Sequence, residues 1–211
     1  MSHLKISIDK HFGAESLSDI QYSLNELNIE LEIEEHSRKG PYASLDWIIP
    51  TGFSLIILKP YYETFLKKAA EDHYEMFKSF LKNKLYNKAI NPENEFQIVT
   101  MNGVVKETIF TMHFSIMHTL NKDDRNISLK LMFPKNCSAE YFEKSILEFS
   151  TLQAELEDKN RSDELFDKLL LSDRGNYGVK ILWFNEELNK LEFLDLIQSA
   201  KTKSIVAKKF A

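Results

Sequence analysis

The chain has 211 residues, 43% hydrophobic and 28% charged, with a formal charge of −5 and a pI near 5.7. This is a globular composition, long enough to bury a core, and its acidic balance disfavours nucleic acid as a partner of the whole protein. A single cysteine, Cys137, excludes an internal disulfide and suits a reducing compartment.

The N-terminal residues hold no long apolar run and do not read as a secretory signal. The longest apolar stretch, 47–58, is broken by Pro50 and Gly52 and falls short of the about 20 residues a membrane helix needs. The expectation is a cytoplasmic protein without a membrane partner.

In chain order, Leu4, Ile6 and Ile8 alternate with polar residues and predict a first strand. Ser16 and Asp19 have the spacing of a capping box, and Ile20, Leu24 and Leu27 continue at helical spacing. Residues 29–35 predict a second strand, with Ile29, Leu31 and Ile33 on one face and Glu30, Glu32 and Glu34 on the other. Residues 36–45 read as an exposed loop. A bent strand follows over 47–58, because Pro50 cannot donate to a ladder. Pro60 suits the first position of a helix that runs to about residue 87, with an apolar stripe that includes His73, Phe77, Phe80 and Leu81.

Asn102-Gly103 is a strong hairpin signal between extended runs. Together with 127–133, these runs predict a three-stranded antiparallel meander. Residues 138–157 read as a helix with Phe142, Ile146 and Phe149 on one stripe, and 162–171 as a shorter one. Residues 177–184 and 191–196 predict a final hairpin. The tail, 199–211, carries Lys201, Lys203, Lys208 and Lys209 and no acid. It reads either as a frayed end or as a contact for an acidic partner.

Few residues carry a chemical signature. His113 and His118 are five apart, so on a strand they point to opposite faces and cannot share a metal. One solvent-facing and one partly buried imidazole is the expected outcome. Asp9 and His11 could meet where the first strand ends, and an aspartate can orient a histidine for base catalysis. Cys137 lies at a helix start, where the helix dipole can activate a thiolate, although a packed thiol is the commoner outcome. His73 belongs to a helix stripe, and Asp123 and Asp124 suit a turn. No Gly-x-Ser-x-Gly, Walker or Cys-x-x-Cys motif occurs. No cofactor and no metal site is expected.

The run Asp46-Trp47-Ile48-Ile49-Pro50-Thr51-Gly52, followed by a helix holding Phe65-Leu66, Ala70-Glu71-Asp72-His73-Tyr74 and Phe77 to Leu85, resembles small accessory and immunity-type proteins of bacterial conflict (antiviral defence) systems. The resemblance covers residues 1–90. It implies an accessory, immunity or sensor role acting by protein contact, and it carries over no catalytic residue.

The expected fold is α+β. A ferredoxin-like split β-α-β first half, 1–92, is followed by an antiparallel meander with helices and a C-terminal hairpin, 93–211, all in one domain, 1–211. The expected function is non-enzymatic: Glu30, Glu32 and Glu34 hold another protein by its basic surface. The competing expectation is a metal- or histidine-dependent hydrolase or nuclease-like effector using Asp9, His11 and His113. A third is a self-associating structural subunit.

Overall fold

Leu4, Ile6 and Ile8 are completely buried, and the strand they define, β1 (Leu4–Asp9), lies inside a seven-stranded mixed sheet. The computed structural model describes residues 4–10, 17–36, 53–57, 77–90, 98–99, 102–103, 105–106, 108–122, 125–157 and 179–208. The sheet further contains β2 (Leu31–His36), β3 (Phe53–Ile57), β6 (Phe114–Lys122), β7 (Arg125–Leu131), β8 (Val179–Asn185) and β9 (Lys190–Phe193). Their order is β2-β1-β3-β6-β7-β8-β9. Strands β4 (Ile98–Val99) and β5 (Val105–Lys106) form a separate two-stranded sheet. With its helices, the fold is α+β.

The opening β-α-β unit is not split. β1 pairs directly and in parallel with β2 over six residues, from Leu4 opposite Leu31 to Asp9 opposite His36. A ferredoxin-like unit would place another strand between them. The connecting helix, α1 (Ser18–Glu26), buries Ile20 and Leu24. Its N-cap is Leu17, with no side-chain cap bond, and Ser16 of the expected capping box lies outside the described residues. Asn28, at φ 56°, turns the chain tightly into β2, and Leu4 N donates to Glu30 O at 3.1 Å.

The predicted meander is also revised. β5 pairs with β4 across a turn in which Gly103 takes φ +75°, as the Asn-Gly signal requires. The chain then leaves the extended form: Thr111 N donates to Phe133 O and the Thr111 hydroxyl accepts from His113 N. β6 therefore starts afresh at Phe114. It runs parallel to β3 on one side and antiparallel to β7 on the other. The β3–β6 pairing carries the sheet across residue 92.

One face of the sheet is covered by α1, by the helical segment 77–90 (α2, with a π turn over Leu81–Leu85) and by α3 (Ala139–Glu157). The Ser138 hydroxyl accepts from Tyr141 N at 3.0 Å and caps α3. Phe133 and Phe142 rings lie 4.7 Å apart, with Phe114 5.5 and 5.8 Å from them, at the centre of this core. The other face has a smaller apolar cluster of Phe110, Met112, Met132, Ile181 and Leu194, joined by Trp183 and Ile205.

The C-terminal hairpin forms as expected, with β8 antiparallel to β9. The tail is not frayed through residue 208. α4 (Leu196–Thr202) is capped by Asp195, which accepts from Gln198 N, and the chain returns to β9: Lys208 N donates to Phe193 O and Asp195 N to Val206 O, each at 2.8 Å. The expectations placed on His11, residues 37–52, 60–76, 123–124 and 162–171, and Lys209 lie outside the described residues.

Candidate functional site: an acidic sheet edge

Among the described residues, β2 is the last strand of the sheet on its side. The parallel register sets Glu32 opposite Lys5 and Glu34 opposite Ser7 on one face, while Leu31 and Ile33 share the other face with Leu4 and Ile6. Leu31 and Ile33 are half-buried against the main core. The Glu32 and Glu34 side chains keep 51% and 57% exposure, and Glu30 and Glu35 are exposed. The carboxylates expected to form a ladder are thus brought together on the edge strand and face solvent.

Lys5 is the residue the sequence pattern did not flag. Its ammonium lies 2.7 Å from Glu34 Oε2 and 3.7 Å from Glu32 Oε1. The hydrogen bond to Glu34, helped by the charges of Glu34 and Glu32, holds its pKa above the ordinary lysine value. The formal charges of Glu30, Glu32, Glu34 and Lys5 sum to −2. The signal was present as Lys5 on the polar face of the first strand, but its meaning depended on which strand lay beside it.

The same face continues inward as a serine row. Ser7, Ser54 and Ser115 are opposite one another on β1, β3 and β6. Ser54 and Ser115 are buried and share a hydroxyl hydrogen bond of 2.8 Å. These serines are 47 and 61 positions apart in the chain, so no local motif could announce them.

Of the residues in the competing catalytic expectation, His11 lies outside the described residues and Asp9 is placed by its backbone alone. His113 and His118 are both 5% exposed, so the expected solvent-facing imidazole is instead buried. His118 stands opposite Leu129 of the main core, and burial alone lowers its pKa to about 4. It is a neutral core imidazole at pH 7. Asp9 ends β1 opposite His36 in the register. Among the described residues, no group of three His, Cys, Asp or Glu side chains is placed to hold a metal ion. Cys137 is not an activated thiol, because burial pushes its pKa up to about 12.

Two lysines escaped the sequence pattern. Lys130 is 8% exposed and stands opposite Ile181, and Lys180 is 2% exposed and stands opposite Leu129. Both occupy alternate positions of strands, where pattern alone assigns a lysine to water.

Among the described residues, no helix is long and apolar enough to cross a membrane. No family model matches the chain, and neither a curated protein nor a solved structure matches it.

Proposed function

We propose that this chain is a non-enzymatic binding protein that holds a partner protein by a basic surface, using the face of β1 and β2 that carries Glu30, Glu32, Glu34 and Lys5. The observation that carries this reading is the exposure of Glu32 and Glu34, above half, on the terminal strand of a large sheet. Exposed like charges on one face attract an oppositely charged surface and speed its association. Lys5 separates the two carboxylates and fixes their positions, which gives the patch shape as well as charge.

The resemblance of residues 1–90 to accessory and immunity-type proteins of bacterial conflict systems gives this contact a setting. In that setting the chain works in the cytoplasm and restrains or recruits a basic protein. The chemistry of such a contact needs no cofactor.

The test is a variant with Glu30→Lys, Glu32→Lys and Glu34→Lys, compared with the unaltered chain by circular dichroism and by co-purification from the source cell. The variant is expected to fold and to lose its partner. Partner capture at the same level would reject the reading. Binding by the unaltered chain should also weaken as salt is raised, since exposed charges are screened within about 8 Å at physiological ionic strength.

A further inference from the structure

The two edges of the main sheet are not alike. At β9, the C-terminal segment returns and bonds the strand: Lys208 N donates to Phe193 O, and Ala207 forms a bridge with Leu194. At β2, no described strand or segment follows. In a parallel pair each residue directs its N–H and C=O to the same side, and successive residues alternate sides. Leu4 N donates to Glu30 O, so Glu30, Glu32 and Glu34 turn their backbone groups toward β1. Leu31, Ile33 and Glu35 therefore turn theirs outward.

This edge is regular. Its pairing with β1 runs over six consecutive residues with no bulge, and β2 contains no proline. Edges of natural sheets are commonly blunted by such devices, or by lysine or a covering segment. Among the described residues it is the glutamates that guard the edge, and they guard it against acidic strands, not basic ones.

We infer that β2 is a strand-addition site for an extended segment of a partner protein in which basic and apolar residues alternate. Main-chain bonds to Leu31, Ile33 and Glu35 would supply the pairing, as in other cases of strand addition. Basic residues of the added strand stand beside Glu30, Glu32 and Glu34. Apolar residues stand beside Leu31 and Ile33 and complete the burial that the edge leaves half done. The inference rests on the function proposed above and names the conformation and sequence pattern of the segment that is held.

The probe is a blocked eight-residue peptide of alternating lysine and valine. Its control is the isomer with four lysines followed by four valines. Amide hydrogen exchange of the full chain is measured with each. The alternating peptide is expected to slow exchange at Leu31, Ile33 and Glu35 at least tenfold, with no such change at Glu32 and Glu34, whose amides already face β1. The isomer is expected to bind at least fivefold more weakly. Glu35→Pro, which removes one outward donor and none that faces β1, should abolish the protection.

Equal binding of the two peptides, or binding without protection at these three amides, would overturn strand addition. If binding then also falls in Glu32→Gln/Glu34→Gln, the acidic-face reading survives. If it is untouched by these changes, that reading falls too. Failure of the alternating peptide to bind at millimolar concentration would overturn the inference, while the co-purification test separately decides the broader one. Should the proline variant fail to fold, the exchange measurement on the unaltered chain still decides for or against strand addition.

Discussion

Lys5 on β1 and Glu34 on β2 are joined by an ion pair of 2.7 Å across a parallel strand pair. The lysine is a spacer in a field of carboxylates, and its removal separates two effects. Lys5→Gln is expected to cost only about 0.5 kcal/mol of stability, because a partly exposed ion pair contributes little. The same change should raise the association rate for a basic partner, since it leaves the edge more negative. Denaturant unfolding and stopped-flow binding of the alternating peptide check the two halves.

Burial of an unbonded amide is costly, and Gln153 on α3 is 0% exposed with neither amide atom hydrogen-bonded within the described structure. Gln153→Met keeps the volume and removes the polar atoms. A gain of about 1 kcal/mol is expected, from the 1–3 kcal/mol cost of an unsatisfied buried group offset by imperfect packing of the thioether. Thermal unfolding should rise by about 2–4 °C for a chain of this size. A drop in midpoint would contradict the assignment.

His118 makes stability fall on the acid side. Its folded pKa of about 4 lies below the ordinary 6.5, so the unfolded chain takes up the proton first. Its contribution to stability is therefore fully present above pH 6.5 and is lost progressively as pH falls toward 4. The span amounts to about 3 kcal/mol at 1.36 kcal/mol per pH unit. Urea unfolding of the parent and of His118→Leu at pH 7 and pH 5 should show a smaller pH dependence in the variant.

Cys137 should be chemically quiet in the folded protein. With its pKa pushed up to about 12, it carries almost no thiolate at pH 8. DTNB is expected to react at least a hundredfold more slowly with the native chain than with the chain in guanidinium. Fast labelling of the native protein would show an exposed, activated thiol instead.

The parts of the fold legible in the sequence are those set by neighbours in the chain. β1 is marked by alternation, α3 by its stripe and Ser138, and the last hairpin by a polar turn in which Asn189 takes φ 47°. The parts that were not legible are set by strand pairing. Nothing local says that β1 pairs directly with β2, or that β3 pairs in parallel with β6 more than fifty residues later. The glutamates of the candidate site were visible as a pattern. Their placement on the sheet's last strand, and the presence of Lys5 among them, belong to the pairing. The burial of both His113 and His118 was hidden for the same reason: alternation gives a side, not what covers it.

The C-terminal return onto β9 has a consequence for how copies of this chain can meet. Endless head-to-tail stacking of sheets requires a donor rim and an acceptor rim on each molecule. Among the described residues, one rim is obstructed at Phe193 to Asp195 by residues 206–208, and the other carries the carboxylates of Glu32 and Glu34, which oppose a second copy of themselves. On the strand addition inferred above, such a rim takes a basic segment from another protein in preference to a copy of itself, and growth stops at that single addition.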